Sequence, residues 1–351
     1  MALLGSESFD TETVASRVFN TQVGTCTISS GNSLNPTGNG VGFSQNVSGM
    51  RFLNAAKSGL CACAHVKTGA AGFGSLLGFA LTTQNANNNG GNQSVIQLVQ
   101  QPNGSLAVYR GTGTGTLLAQ TNAIPGFVNN RHHVGVKAIL SATVGAVAIQ
   151  LDGQTILTAT GLNTGAVLTV DAVFCGDTRN NGISTVIVDD WVWNDLLGTD
   201  NNDLLGVCRV WGSSAAADGQ FTGGTRGGTN TGSNHGQVGD ATTADDDTTY
   251  LDDGATINTR GSYTFGSAPF STGSVLGVVE KFRSRQAAAG TSAIAPTSSR
   301  PSGGTDVVGT GLLQGTSYVT YNDQVWERDP NATLFTPTTA YNNEFGWKRT
   351  L

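Results

Sequence analysis

The chain has 351 residues, of which only 12% are charged, about half the usual share; 49 are Gly, 8 are Pro, and the net charge is −6. So little charge excludes a self-repelling disordered chain and a helical bundle, whose exposed faces need Lys and Glu. The acidic balance leaves no electrostatic footprint for nucleic acid, and Gly, Thr, Asn, Ser and Val supply short strands and tight turns, so the expected class is all-β.

The first ten residues, MALLGSESFD, lack a basic segment followed by a long apolar one. No signal peptide is expected, and synthesis is placed in a cytoplasm. No apolar run approaches the ~20 residues that cross a membrane as a helix. Strands are expected at 50–53, 61–66, 79–82, 95–100, 106–110, 116–119, 133–140, 146–151, 155–158, 167–175 and 184–193. Their spacing fits a sandwich. Pro102-Asn103-Gly104 and Asp152-Gly153 are hairpin turns. Ala146, Ala148 and Gln150 alternate with Val147, Ile149 and Leu151, the period of a sheet with one buried face. A short helix is expected near 201–205. Residues 211–247, built mostly of small polar residues, are read as an arm or linker. Strands return at 263–265, 275–282, 317–321 and 334–335. The strand at 275–282 carries apolar residues on both faces. The domains are therefore a sandwich over 1–210, the arm over 211–247, and a smaller β domain over 248–351.

The five Cys are an odd number for a disulfide framework. Cys61 and Cys63 point to one face of a strand and are expected as buried apolar thiols, since zinc spacing wants CxxC pairs or His partners. Asn46-Val47-Ser48 and Asn331-Ala332-Thr333 are read as turn chemistry rather than glycan acceptors. Gly111–Gly115 is a hairpin turn, because a phosphate cradle needs a Lys and a following helix.

The run from Val95 to Trp193 resembles a concanavalin A-like lectin/glucanase domain of the laminin-G type. The resemblance lies in ordered pieces: Val95–Val99; Asn103-Gly104-Ser105-Leu106 through Gly111; Gly126-Phe127; His132-His133-Val134-Gly135-Val136-Lys137; Gly145 through Gly153; Val173-Phe174-Cys175-Gly176; and Asp189-Asp190-Trp191-Val192-Trp193. Further on stand Asn202-Asp203-Leu204-Leu205-Gly206-Val207-Cys208-Arg209-Val210, a polar arm, and a tail with Trp326-Glu327-Arg328-Asp329-Pro330, Leu334-Phe335-Thr336 and Phe345-Gly346-Trp347-Lys348. This order resembles structural proteins that tailed bacteriophages carry on their virions. The resemblance implies a concanavalin A-like jelly roll, a virion location and a role on the capsid or tail surface as a decoration, fibre or spike protein. The alternative it implies is a carbohydrate-binding adhesin that recognises the host surface. Expected partners are other virion proteins and the chain itself, as a homo-oligomer with a trimer foremost, with host glycan as a further contact.

Glucanases of this fold carry alternating Glu residues on one strand. The Glu residues here are Glu7, Glu12, Glu280, Glu327 and Glu344, so the sandwich has no such strand. Asp189 and Asp190 are adjacent, hence expected on opposite faces and unable to pair. The expectation is no enzyme and no catalytic residues. His132-His133 are read as the opening of a strand, one ring inward and one to solvent, against a general base or metal ligand. Asp245, Asp246 and Asp247, near Asp240, Asp252 and Asp253, are the candidate Ca²⁺ ligands, set against a solvated turn. No other cofactor is expected. Trp191 and Trp193 are the candidate sugar-stacking residues, set against a place in the inter-sheet core.

Overall fold

A computed structural model describes residues 3–9, 18–35, 38–44, 47–69, 72–82, 94–111, 115–176, 185–229, 232–240, 244–300 and 306–351. Asn46, Thr112 to Thr114, Ser184 and Glu12, which figure in the readings above, lie outside the described residues. The chain divides into two compact units, Met1–Gly212 and Ser213–Leu351. Among the described residues almost every regular element is a strand, and every strand pairing is antiparallel. Among the described residues no helix is long and apolar enough to cross a membrane.

The first unit is a two-sheet sandwich, as the alternation and turn spacing predict. Strands are numbered along the chain. One sheet runs β13 (Gln154–Leu162), β12 (Gly145–Leu151), β11 (Arg131–Ile139), β6 (Gly59–Thr68), β15 (Thr185–Asp195), β4 (Gly40–Ser44) and β3 (Thr27–Ser29), with β1 (Leu3–Glu7) also on β15. The other runs β10 (Thr116–Gln120), β9 (Leu106–Arg110), β8 (Ser94–Gln100), β7 (Gly74–Ala80), β14 (Val170–Gly176), β5 (Ser48–Lys57) and β2 (Thr21–Val23). Alternate residues of facing strands fill the space between the sheets: Leu60, Ala62, Ala64 and Val66 from β6, Val134, Val136 and Ala138 from β11, and Leu76, Leu98 and Val108 from the other sheet. Register is set by tight turns. Asp152 (φ 47) and Gly153 (φ 83) join β12 to β13 in the double left-handed conformation that matches strand twist. At Pro102-Asn103-Gly104 the Gly104 amide donates to the Gln101 carbonyl, closing the β8–β9 hairpin.

After β15 the chain does not form the expected helix at 201–205. Residues 196–211 instead cross the outer face of the β13–β3 sheet as a strap without regular structure. Asn194 Nδ2 donates to the carbonyl of Asp203, and Lys137 Nζ lies 2.8 Å from Asp203 Oδ1. Gly135 makes room for the strap: a Cβ there would sit 3.1 Å from Leu204 Cδ2.

In the second unit a six-stranded sheet runs β16 (Ala217–Thr222), β19 (Arg260–Thr264), β25 (Glu344–Arg349), β21 (Ala293–Ser299) and β22 (Asp306–Val308), with β23 (Leu312–Leu313) also on β21. Two ribbons accompany it, β17 (Thr225–Gly228) with β18 (Thr249–Asp252), and β20 (Val278–Ser284) with β24 (Val319–Trp326). The segment expected as an arm thus contributes β16, β17 and a short helix α1 (His235–Val238) to this unit. Its strands are held by pairing with residues far along the chain rather than by apolar burial, which is why composition alone reads as linker. Helix α2 (Pro337–Asn342) opens with a reciprocal cap: the Thr339 amide donates to Thr336 Oγ1, and the Thr336 amide donates to Thr339 Oγ1. Trp326, Phe335, Ala340 and Phe345 form the local core. The strand expected at 275–282 starts at Val278, and its residues are partly buried within the chain.

Within this unit Trp326 Nε1 donates to Glu280 Oε2 at 3.1 Å. Withdrawal from water holds the Glu280 carboxyl well above the usual carboxylate range, although the Trp326 and Gly346 hydrogen bonds pull the other way. The folded unit therefore keeps a proton that the unfolded chain releases above about pH 4. Its stability is greatest below that pH and falls as pH rises through the folded value. Glu280→Gln is expected to raise the second unit's melting temperature at pH 7 by a few degrees and to flatten this part of its pH dependence. Calorimetry of wild type and variant between pH 4.5 and 8 tests this, and a lower melting temperature for the variant at pH 7 would contradict it.

Candidate functional site

The outward-facing residues of a sheet normally meet water and read as polar or charged. On β6 these positions carry Cys61, Cys63 and His65, and on β11 they carry His133 and Gly135. All five are covered. Register makes them neighbours, with His133 opposite His65 and Gly135 opposite Cys63. The two imidazoles meet edge to face, with ring centroids 4.9 Å apart. Cys208 on the strap closes over them. Its Sγ lies 3.8 Å from Cys63 Sγ and 3.5 Å from His133 Nε2. His133 Nδ1 is buried without a hydrogen-bond partner. The contact with Cys63 and, against burial, the His133 imidazole hold the Cys208 thiol below the ordinary thiol range, while the same contact and burial hold Cys63 well above it.

The centre of the cluster is Asp190, which is fully buried. The register of β15 against β6 shifts between Asp189 and Val192, and Asp190 has φ +52. This irregularity turns the Asp190 carboxylate onto the outer face while Trp191 and Trp193 stay inward. Asp190 Oδ2 lies 2.9 Å from His65 Nδ1 and accepts from Asn35 Nδ2, and Oδ1 accepts from the Val210 amide of the strap. Arg209 Nε and Arg131 Nη2 stand 3.8 and 4.0 Å from Oδ2. Burial acts to raise the Asp190 pKa. The hydrogen bonds from His65, Asn35 and Val210 outweigh it and hold the carboxyl below the usual range. Burial lowers the pKa of His65, with Arg131 and His133 adding to this and Asp190 opposing it. A neutral His65 donating Nδ1–H to Asp190 presents Nε2 as a lone pair.

The expectation that Asp189 and Asp190 occupy opposite faces is corrected by the same irregularity. Asn35 Nδ2 donates to Oδ2 of both, at 3.1 and 2.9 Å, and the Leu34 amide also donates to Asp189. His133 is under the strap, while His132 stacks on Phe127 and lies 2.8 Å from Asp152. Trp191 and Trp193 are buried against Phe19 and each other, so neither ring is open to a sugar. Asp245 accepts from the amide and hydroxyl of Thr249. Asp246 is paired two-pronged with Arg283, and Asp247 with Arg285 and Tyr318. These oxygens serve a junction between the 245–249 turn and the β20–β24 ribbon. Sequence reasoning read Cys63 as a buried apolar thiol, and buried it is, but passed over His65, Cys208, Asn35 and Arg209 as its neighbours. The available signal was a strand whose outward positions read Cys-x-Cys-x-His.

No protein-family model matches the chain, and no curated protein matches its sequence. Solved structures of similar fold include Trypanosoma rangeli sialidase, with TM-score 0.35, 16% identity, and coverage of 55% of this chain and 30% of that one. A second is endo-beta-1,4-glucuronan lyase from the fungus Trichoderma reesei, with TM-score 0.34, 11% identity, and coverage of 49% and 87%. A third is the carbohydrate-binding module CBM66 from Bacillus subtilis, with TM-score 0.31, 12% identity, and coverage of 55% and 97%. The chain spans less than a third of the sialidase's own length. Likeness at this level concerns the type of fold and carries no activity, ligand or partner to this chain. It does correct the expectation of no enzyme. Folds of this type include a sialidase and a lyase. Lacking a strand of alternating Glu removes one glycosidase arrangement, not enzymatic chemistry as a class.

Proposed function

We propose that the chain is a surface protein of a virus particle whose first unit contacts carbohydrate, acting as an adhesin or as a decoration with glycan contact. One observation carries the glycan part of this reading. The pieces over which the sequence resembles a laminin-G-type lectin domain fall on β8 to β15, strands of one two-sheet sandwich. The step from that sandwich to glycan is fold analogy. The virion part, and assembly as a homo-oligomer with a trimer foremost, rest on the sequence resemblance of the strap and tail to phage structural proteins.

A glycan array probed with the purified full chain tests the glycan part. The expected result is retention on one related set of glycans, competed by the free sugar. Retention on none, or retention that free sugar does not compete, would remove it. Light scattering of the same preparation reads the oligomeric state, and a monomer at micromolar concentration would remove the trimer.

A further inference from the structure

We propose that Cys63, His133 and Cys208 form a transition-metal site of the zinc type beneath the strap. The proposal does not depend on the glycan reading. The three ligand atoms all lie within 4.8 Å of one another. A tetrahedral zinc ion with Zn–S near 2.3 Å and Zn–N near 2.0–2.1 Å sets S···S at about 3.8 Å and S···N at about 3.5 Å. The thiol pair stands 3.8 Å apart, and Cys208 Sγ stands 3.5 Å from His133 Nε2. A disulfide would need the sulfurs at about 2.05 Å.

The placement of the ligands favours an ion as well. Cys63 and His133 come from paired strands, so the backbone ladder fixes their separation. Cys208 arrives on the strap, which the Val210 amide also ties down at Asp190. Thiolate and imidazole together suit zinc over the harder magnesium and calcium. Two thiolates neutralise Zn²⁺, so the bound ion adds no net charge beneath the strap. On binding, two Zn–S bonds and one Zn–N bond replace bonds to water on the hydrated ion; the displaced waters and the protons the thiols still carry pass to solvent, with no change of oxidation state. His65, held by Asp190, borders the remaining side. Cys61, on the same face of β6, stands apart from the set, with Lys137, Asp195 and Asp203 for charged neighbours.

The test uses the full chain, purified with reductant and chelator, dialysed, and titrated with Co²⁺ and then Zn²⁺. One equivalent of Co²⁺ is expected to give thiolate-to-cobalt charge transfer and visible bands of tetrahedral strength. One equivalent of Zn²⁺ should abolish both and raise the first unit's melting temperature. Cys63→Ser and Cys208→Ser should lose these signals, and Cys61→Ser should keep them. If a Ser variant fails to fold, the wild-type spectrum and the zinc-dependent thermal shift still decide. Absence of charge transfer at stoichiometric Co²⁺ would overturn the site. So would a band that survives in Cys208→Ser, or one that Cys61→Ser removes.

Discussion

Asp190→Ala is expected to cost the first unit about 3–5 kcal/mol, the range for breaking a buried charged network by removing one partner. The substitution orphans two donors, His65 Nδ1 and the Val210 amide, and leaves Asn35 Nδ2 with Asp189 alone of its two carboxylate acceptors. It also places Ala at φ +52, where a carboxylate or amide side chain is better tolerated. Asp190→Asn keeps an acceptor and tolerates the backbone, so its expected loss is about 1–2 kcal/mol. Urea unfolding followed by tryptophan fluorescence measures both. A loss under about 1 kcal/mol for the Ala variant would mean that the strap and His65 do not depend on this carboxylate.

Trp191→Ala is expected to cost about 3–5 kcal/mol, because the indole is fully buried and its removal leaves a cavity. Phe19 and Trp193 lose their ring partner, with centroids now 6.3 and 4.6 Å away. The indole Nε1 has no hydrogen-bond partner, so Trp191→Phe loses volume but no bond. Its expected cost is about 1–2 kcal/mol. The same unfolding experiment separates a core role from a sugar-stacking one. A Trp191→Phe protein of unchanged stability that has lost glycan retention would reverse the assignment.

The strands legible in the sequence are those with two-residue alternation and explicit turns, such as β8, β9, β11 and β12. There the chain's local preferences and its tertiary pairing agree. β1 to β4 and β16 to β18 escaped because they are short, polar or Gly-rich, and most of them have partners far along the chain. The site was less legible for two physical reasons. Its members are scattered from Asn35 to Val210, so no local motif joins them. The irregularity at Asp189–Val192 also breaks the alternation from which faces are assigned. Counting residues placed the two Asp carboxylates apart, whereas one Asn35 amide bonds both.

The strap lies between the sandwich and the second unit in the covalent sequence, and this has a mechanical consequence. Tension arriving along the backbone from residue 213 meets the Val210 amide on Asp190 first, then Cys208 against Cys63 and His133, then the Asp203 anchor on Lys137 and Asn194. These attachments are loaded in series and yield one after another, as a zipper does. β15 is flanked by β6 and β4 and would be loaded only after the strap has come away. A pull would therefore extend the chain by the length of the strap before it reached the sandwich, which makes residues 196–211 a force buffer in front of the folded first unit.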